Sequence, residues 1–324
     1  MIGYSSENFK GLKVLVTGAA GFIGSNLVEA LCKLGCSVRA LDDYSTGKKE
    51  NIDNLRKDLF FEFVEGSICD FDTCLKACKD IEIVLHQAAW GSVPRSIRMP
   101  LHYEIVNVGG TLNMLEAAKQ NGVKRFVYAS SSSVYGDSNK LPKKEGEEGF
   151  PLSPYAVTKH ANEVYAKLYN NLYKLQTIGL RYFNVFGKRQ DPFSPYSAVI
   201  PLFIKTLLAG EAPVIYGNGN QGRDFTYIDN VVHANILAIH ADEAACGEVF
   251  NIGCGHEITV NDLFTTIQNN LCTAITPQYK ESRAGDTSHS LADISKAKAK
   301  LGYSPLFTFN EGILRTIDWY KNTL

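Results

Sequence analysis

Two short stretches of the sequence carry residues that could do chemistry. A run of four serines, Ser130 to Ser133, closes an apolar segment, and Tyr155 is followed four positions later by Lys159. Residues four apart lie on one face of a helix, so this spacing places the lysine ammonium beside the phenol. A positive charge there favours the phenolate and brings a group with an ordinary pKa of about 10 closer to use as a base. An ordinary amphipathic helix is the alternative.

The elements that must position these groups begin with a glycine-rich turn. The apolar run 14–16 leads into Gly18, Gly21 and Gly24, and residues 27–34 continue with helical periodicity. Strand, glycine turn and helix are the context of a dinucleotide-binding fingerprint. The glycines allow a tight turn, close approach of a pyrophosphate and close packing of helix on strand.

An acidic residue, Asp42, ends a second strand-like run over residues 37–42, eighteen residues after Gly24. A carboxylate at this point accepts hydrogen bonds from the adenosine ribose and repels a 2′-phosphate, which favours NAD over NADP. Capping of a turn is the alternative role for Asp42. The residues that follow it and could line the adenosine pocket are Asp43, Tyr44, Ser45 and Thr46.

Alternation of short apolar runs with helical segments predicts the fold class. Further strands are expected at 61–64, 81–85, 125–129 and 177–181, with helices near 70–79, 100–121 and 155–173. Such alternation is typical of right-handed βαβ units, so we predict an α/β fold with a Rossmann-type, doubly wound parallel sheet. Ligands bind at the carboxyl ends of strands in such sheets, where the serine run lies.

The alternation loosens after about residue 185. Four prolines and the glycine-rich loop 217–222 accompany shorter elements: a strand at 249–252 and helices at 229–240, 260–271 and 310–320. We therefore predict an NAD-binding domain over residues 1–185 and a smaller α/β substrate domain over residues 186–324, with some exchange of strands and helices. The charged segment 140–149 is interpreted as a solvated loop.

Composition argues against several classes of protein. The 324 residues include 33 basic and 34 acidic ones without a basic block, which disfavours a nucleic-acid or membrane surface. A signal-peptide pattern and an apolar run of about 18 residues are both missing, so we expect a cytoplasmic protein. The eight cysteines have neither C-x2-C spacing nor clustered histidines, and no metal site is predicted.

In combination, these motifs resemble the extended short-chain dehydrogenase/reductases, and within them the nucleotide-sugar 4-epimerases. The segments that carry the resemblance are 17–24, Asp42, Asn107, the set of Ser131, Tyr155 and Lys159, 181–187 and 223–231. The segment 86–97 is similar to that of bacterial epimerases acting on UDP-N-acetylhexosamines or their uronic acids.

The resemblance implies a role for each site residue. Tyr155 would be the base, Lys159 the partner of Tyr155 and of the nicotinamide ribose, and Ser131 or Ser132 the ligand of the substrate oxygen. The residues implied in NAD binding are Gly18, Gly21, Phe22, Ile23, Gly24, Asp42, Asp43, Tyr44, Ser45, Thr46, Gly47, Ser67, Ile68, Gln87, Ala88, Ala89, Asn107, Tyr155, Lys159, Tyr182 and Val185. Those implied in binding the UDP-sugar are Gly91, Ser92, Ser131, Ser132, Ser133, Tyr155, Asn184, Ala198, Val199, Tyr216, Asn218, Arg223, Arg283, Asp286 and Ser290.

The resemblance also implies the reaction. Tyr155 takes the proton from O4 as a hydride leaves C4 for NAD, and the 4-keto sugar turns its other face before the hydride returns. Related dehydratases and decarboxylases carry an extra acid just before Val134 and Tyr135, where this chain has Ser132 and Ser133. The missing carboxyl favours epimerisation.

Ser290 implies the sugar, since family members selective for unacetylated sugars place a bulky tyrosine there. A serine leaves room for a 2-acetamido group, although capping of the following helix is the alternative. We predict C4 epimerisation of UDP-GlcNAc and UDP-GalNAc, serving surface polysaccharide or glycoconjugate synthesis.

The enzyme would be a homodimer joined by a four-helix bundle from the helices near 100–121 and 155–173. The alternatives are a UDP-N-acetylhexosaminuronate or UDP-glucose/galactose 4-epimerase, a net NAD-dependent dehydrogenase or reductase, and a non-catalytic NAD sensor.

Overall fold

A seven-stranded sheet forms the centre of the protein in a computed structural model that describes residues 6–57, 60–194, 196–281 and 289–324. The described strands, in chain order, are β1 (Lys13–Thr17), β2 (Ser37–Asp42), β3 (Phe61–Glu65), β4 (Ile83–His86), β5 (Arg125–Ser131), β6 (Gln176–Tyr182), β7 (Val185–Phe186), β8 (Val214–Tyr216), β9 (Gly222–Arg223), β10 (Thr226–Tyr227), β11 (Glu248–Ile252), β12 (Ile258–Thr259), β13 (Gln278–Lys280) and β14 (His289–Ser290).

The strand order of the large sheet is β11-β6-β5-β4-β1-β2-β3, and each neighbouring pair is parallel. The order reverses between β1 and β4, as in a doubly wound Rossmann-type fold, so a crevice opens there at the carboxyl ends of the strands. The predicted fold class is thus confirmed. Strand β11 comes from the C-terminal part of the chain and extends the sheet beside β6.

Helices cover both faces of the sheet. They are α1 (Phe22–Lys33), α2 (Phe71–Ala77), α3 (Val93–Arg98), α4 (Pro100–Tyr103), α5 (Gly110–Gln120), α6 (Pro154–Tyr173), α7 (Val199–Leu208), α8 (Ile228–Ile239), α9 (Val260–Leu271), α10 (Ser295–Leu301) and α11 (Phe309–Lys321). A π-helical segment, Glu104–Gly109, joins α4 to α5, and 3-10 turns occur at Ser6–Asn8, Lys49–Asn51, Asp53–Lys57, Ser132–Tyr135 and Glu243–Ala245. In the described residues, no helix has the length and apolar character needed to span a membrane.

Side-chain alternation in the strands builds the two apolar layers. Val14 and Val16 point into the larger cluster of buried residues, whereas Leu15 points into the smaller cluster on the other face. All three side chains are fully buried, which explains why the run reads as continuously apolar.

The helix that carries Tyr155 and Lys159 is fixed by local signals. The Ser153 hydroxyl accepts a hydrogen bond from the Ala156 N–H at 3.2 Å, and Pro154 occupies the first turn, where its missing N–H costs nothing. Helix α6 then runs from Pro154 to Tyr173.

Two predicted elements differ in detail. The helix expected near 100–121 is divided by the π-helical segment Glu104–Gly109, a feature that apolar periodicity does not reveal. Helix α7 was not predicted, because Pro201 marked the region as irregular. This proline lies in the first turn of α7, where proline is compatible with a helix.

The segment 140–149 is a solvated loop only in part, since residues 140–142, 144 and 146 are exposed but the others are buried or half-buried. Lys143 is only 7% exposed, and the Glu145 carboxylate accepts a hydrogen bond from the Asn251 N–H at 2.7 Å. Glu148 pairs with the buried Arg181. Arg181 and Asn251 are cross-strand neighbours in β6 and β11, so the segment folds back over the edge of the sheet.

We expect Gly24→Ala to destabilise the protein. A Cβ built on Gly24 would lie 2.0 Å from the Gly18 carbonyl oxygen, so α1 must move away from the turn. Overpacking of this kind lowers the free energy of unfolding by roughly 1–3 kcal/mol. Gly109→Ala is the matched control, since its Cβ would lie 3.9 Å from the nearest atom. Urea unfolding followed by circular dichroism measures both, and equal midpoints would contradict the expectation.

Candidate active site

A cavity of about 830 Å³ lies at the carboxyl ends of the central strands. Its wall contains residues that follow β1, β2 and β4, together with the serine run at the end of β5 and Tyr182 at the end of β6. This is the position in which doubly wound sheets bind their ligands.

One end of the cavity fits the pyrophosphate of a dinucleotide. Gly18 has a φ of +65°, and a Cβ there would lie 2.8 Å from the Ala88 nitrogen, so only glycine allows this close approach. Helix α1 begins at Phe22, and its N-cap, Gly21, contributes no side-chain hydrogen bond. The N–H groups of the first turn therefore remain for an anion, which the helix dipole also favours.

The Asp42 carboxylate lies in the same wall and is held by backbone groups. It accepts hydrogen bonds from the Ala20 N–H at 2.9 Å and the Tyr44 N–H at 2.7 Å. Burial is the main influence on this carboxyl and raises its pKa. Capping of the turn and contact with a ligand are thus compatible roles, because Asp42 also lines the cavity.

Most residues predicted for the site line this cavity. They are Gly18, Gly21, Phe22, Ile23, Gly24, Asp42, Asp43, Ser45, Thr46, Ile68, Gln87, Ala88, Ala89, Gly91, Ser92, Ser131, Ser132, Ser133, Tyr155, Lys159, Tyr182, Asn184, Val185, Ala198, Arg223 and Ser290. The predicted residues that do not line it are Tyr44, Gly47, Ser67, Asn107, Val199, Tyr216 and Asn218. Arg283 and Asp286 lie outside the described residues.

Asn107 supports the cavity wall from behind. Its side-chain oxygen accepts from the Trp90 N–H at 2.8 Å, and its amide donates to the Trp90 carbonyl at 3.1 Å and to the Thr158 hydroxyl at 3.1 Å. The residue is fully buried in the π-helical segment. It therefore joins the loop after β4 to α6 and fixes the position of Trp90.

Tyr155, Ser131 and Lys159 come together as their spacing suggested. The Ser131 side chain lies beside the Tyr155 phenol, close enough to lower its pKa, and the Lys159 ammonium lies 5.9 Å from the centre of the Tyr155 ring. The ammonium donates to the Ala129 carbonyl at 2.8 Å. The phenol and lysine thus converge on the end of β5.

Burial controls the ionisation of this pair. It raises the pKa of Tyr155, while the Ser131 side chain acts in the opposite direction. Burial also lowers the pKa of Lys159 to about 8, and the Glu163 charge opposes that change. Desolvation therefore outweighs the favourable effect of Lys159 on the phenolate that the spacing alone suggested.

The four serines have separate environments. Ser130 donates to Glu163 at 2.5 Å and belongs to the interior, whereas the Ser131 hydroxyl accepts from the Ser133 N–H at 3.1 Å and caps a 3-10 turn. The Ser133 hydroxyl is buried and has no hydrogen-bond partner among the described residues. Ser131 is the serine that acts on the pKa of Tyr155.

The far end of the cavity is built by residues from the C-terminal part of the chain. Arg223 in β9 lies beside Ser290 in β14. Asn184 has an unusual φ of +29° and donates to the Asp224 carbonyl at 3.2 Å. Strained backbone of this kind concentrates at functional sites.

Asp224 organises this end, and sequence reasoning assigned it no role. Its carboxylate accepts hydrogen bonds from the N–H groups of Cys254 at 2.7 Å, Gly255 at 2.9 Å and Ala292 at 3.2 Å. Burial raises its pKa to about 6 despite these bonds. Its place next to Arg223 was the one available signal in the sequence.

Four cations in the wall were also missed as site residues: Lys48, Arg95, Lys143 and Arg189. The Arg95 guanidinium lies 4.2 Å from the Trp90 ring centre and 5.3 Å from that of Tyr196. Lys143 lines the cavity from the segment that sequence patterning assigned to solvent. Arg95 falls inside the quoted segment 86–97, whereas nothing in the local pattern around Lys143 indicated burial.

Comparisons with known proteins agree with this geometry. Residues 14–253 match the NAD dependent epimerase/dehydratase family. The UDP-glucose 4-epimerase of Mycolicibacterium smegmatis is 40% identical over 96% of this chain and 99% of its own length.

Solved structures show the same similarity. The UDP-N-acetylglucosamine 4-epimerase from Methanobrevibacter ruminantium, in complex with UDP-N-acetylmuramic acid, superposes with a TM-score of 0.93 at 41% identity, covering 97% of this chain and 100% of that chain. The UDP-glucuronic acid 4-epimerase from Bacillus cereus, in complex with UDP-glucuronic acid and NAD, has a TM-score of 0.90 at 34% identity, covering 97% of this chain and 100% of that chain.

The prediction of NAD as the cofactor is confirmed by the matched family and by the NAD-containing neighbour. The glycine turn, the uncapped start of α1 and Asp42 supply the groups that this cofactor requires. The chain belongs to the NAD dependent epimerase/dehydratase family, and within it to the UDP-sugar 4-epimerases.

Proposed function

We propose that the protein interconverts UDP-N-acetylglucosamine and UDP-N-acetylgalactosamine by inverting C4 of the sugar. The observation that carries this choice is the small side chain of Ser290, which lines the cavity beside Arg223. The Methanobrevibacter ruminantium enzyme, named for UDP-N-acetylglucosamine, supports it.

The chemical roles fall to the three converging side chains. Tyr155 removes the proton from the sugar O4 and later returns it, and Ser131 holds the same oxygen through its hydroxyl. The Lys159 ammonium supplies positive charge beside the phenol. NAD held in this cavity would supply the hydride chemistry, as acceptor of the hydride from C4 and as its donor to the opposite face of the sugar.

The UDP half of the substrate is assigned to the predicted domain over residues 186–324, and NAD to residues 1–185. Arg223 suits the diphosphate, because a guanidinium binds phosphate oxygens bidentately, and Asn184 adds an amide donor. A diphosphate held in this way lets the 4-keto sugar turn about its link without leaving the cavity.

Space and an available donor favour the 2-acetamido group. Gly91 borders open space, since no atom lies within 4 Å of a Cβ built on it. The buried Ser133 hydroxyl, which has no partner among the described residues, can donate to the acetamide oxygen. Ser92, Ala198 and Ser290 complete a wall of small residues.

A homodimer is proposed from an apolar face on α4, α6 and the π-helical segment. The exposed side chains that form it are Leu101, Ile105, Val157, Val164, Leu168 and Leu172. On α6 these positions are seven, four and four residues apart, which places them on one face of the helix as one stripe. A second copy with the same stripe buries both in a four-helix bundle, which an isologous two-fold interface permits.

Tyr155→Phe should lower the epimerisation rate by at least about a hundredfold, because the ring stays in place but the acid–base group is lost. Bound NAD, measured after denaturing the purified protein, should be unchanged. Tyr173→Phe is the control, since that tyrosine ends the same helix in a half-exposed position. A near-normal rate in Tyr155→Phe would refute the assignment of the base.

Wild-type protein should epimerise UDP-GlcNAc and UDP-GalNAc with a higher kcat/KM than UDP-glucose and UDP-galactose. Ser290→Tyr should move the ratio of the two values toward the unacetylated pair by roughly tenfold or more, because the phenol fills the acetamido space. Ser304→Tyr places the same side chain at an exposed position and should leave the ratio unchanged. Chromatographic resolution of the C4 epimers gives all four rates. Equal rates for the two sugar classes in the wild type would contradict the proposal.

The double substitution Val164→Glu and Leu168→Glu should produce monomers. These side chains are 56% and 44% exposed, so charges there leave the fold intact while opposing association. Leu314→Glu, at a position 49% exposed on α11, is the matched control and should remain dimeric. Sedimentation velocity separates monomer from dimer, and a monomeric wild-type protein would refute the proposed dimer.

A further inference from the structure

A buried tyrosine behind the cavity contacts three of the residues that form the cavity wall. Tyr103 ends α4 and is fully buried, and it does not itself line the cavity. Its hydroxyl contacts Gly91, Ser92 and Arg95, and each of these three residues lines the cavity. A change in this hydroxyl therefore reaches a bound ligand only through the wall.

The Tyr103 hydroxyl fastens the loop that follows β4. It shares its O–H between the carbonyl oxygens of Gly91 at 2.6 Å and Ser92 at 2.9 Å. Its oxygen accepts a hydrogen bond from the Arg95 Nε–H at 3.2 Å. Burial raises the pKa of Tyr103, so the phenol keeps the proton that it donates.

The backbone that this hydroxyl holds is strained. Ser92 has a φ of +102°, in a region that residues other than glycine rarely adopt. Conformations of this kind persist only where the surrounding contacts enforce them. The Ser92 carbonyl accepts from the Tyr103 hydroxyl and from the Ser96 N–H at 3.1 Å, so loss of the hydroxyl removes one of these two contacts. We therefore expect the loop to relax when the hydroxyl is absent.

The ring of Tyr103 has a different role from its hydroxyl. It packs edge-on against Tyr155, with 6.3 Å between the ring centres, and against Trp90, with 6.1 Å between them. Asn107 holds the Trp90 backbone through hydrogen bonds of its own. Replacing the phenol by a phenyl ring therefore preserves the packing around the base and loosens the part of the wall that the hydroxyl holds.

We propose that Tyr103 is a positioning residue whose hydroxyl fixes the wall that faces the sugar. This inference rests on the proposed function for the placement of the hexose against Gly91 and Ser92. A wall already held in one conformation binds the hexose without the cost of ordering it, so the hydroxyl strengthens binding of the sugar. In the proposed function, Asn184 and Arg223 bind the UDP half, whose affinity is then independent of this hydroxyl.

Binding to the NAD-loaded enzyme tests this role. Isothermal titration gives the Kd of UDP-GlcNAc and, separately, the Kd of UDP, which lacks the sugar. Tyr103→Phe should raise the Kd of UDP-GlcNAc roughly fivefold to tenfold, which is the factor that a typical hydrogen bond contributes. The Kd of UDP should change by less than about twofold.

Turnover of UDP-GlcNAc provides a second readout. In Tyr103→Phe, kcat should fall by less than about threefold, because the ring still packs against Tyr155. The KM should rise together with the Kd. This difference between kcat and KM distinguishes a residue that positions the wall from one that supports the base.

Tyr169→Phe is the matched control. Tyr169 is 7% exposed and donates its hydroxyl to the Glu116 carboxylate at 3.0 Å, and neither of these residues lines the cavity. Both variants lose one buried hydroxyl, so both should lower the melting temperature. Only Tyr103→Phe should raise the Kd of UDP-GlcNAc relative to that of UDP.

The outcomes separate this inference from the proposed function. An unchanged Kd of UDP-GlcNAc in Tyr103→Phe would overturn the role of Tyr103, and so would equal weakening of UDP and UDP-GlcNAc. The proposed function fails by a different result, which is that the wild-type enzyme forms no C4 epimer from UDP-GlcNAc. Because the titrations do not depend on turnover, they would still report on Tyr103 in that case.

Discussion

The contact between Glu163 of α6 and Arg181 of β6 fixes the geometry on which the site depends. Arg181 donates to the two oxygens of this carboxylate at 2.8 and 2.7 Å, and Ser130 at the end of β5 donates at 2.5 Å. All three side chains are buried. The paired geometry is bidentate, which fixes orientation as well as distance. Because Tyr155 and Lys159 lie on the same helix as Glu163, this contact holds both against the strand that carries Ser131.

The same burial makes the chemical groups less charged than their residue types suggest. Burial raises the pKa of Tyr155, and it lowers that of Lys159 to about 8. Lys159 has its folded-state pKa below the ordinary value, so its positive charge is present below about pH 8 and is lost above it. Support for the phenolate from this lysine therefore declines in the range where solution pH would otherwise favour deprotonation.

Local sequence was sufficient for the elements that carry the chemistry. The glycine turn, Asp42 and the capped start of α6 each rest on backbone rules that act over a few residues, and the strands of the sheet follow from continuous apolar runs. The π-helical segment and α7 were not predicted from the sequence. The first depends on how helices pack, and the second on where a proline falls within a helical turn.

Two residues around the far end of the cavity were harder to predict, for a different physical reason. Lys143, which lines the cavity, and Asp224, which is fully buried, are both positioned by contacts with the segment 290–293, far away in the chain. Lys143 stands among charged neighbours, so its sequence context is that of a surface loop. Its burial depends on the Leu291 and Asp293 backbone groups, which no local pattern can anticipate.

Some site residues are positioned by nearby sequence and others by contacts between distant segments, and this difference helps to explain why members of the family act on different sugars. The proposed proton-transfer set lies on one strand and one helix that are held together by a buried ion pair, so its geometry depends on contacts that cannot change one at a time. The proposed sugar-binding wall is assembled from the loop after β4, the segment 140–149 and β14, each of which can change alone. Relatives of this chain at 34–41% identity are accordingly named for three different UDP-sugars. We expect enzymes built in this way to share one reaction but to differ in the sugar they bind. The part of the site on β5 and α6 is held in one geometry, whereas the rest is formed by several separate segments.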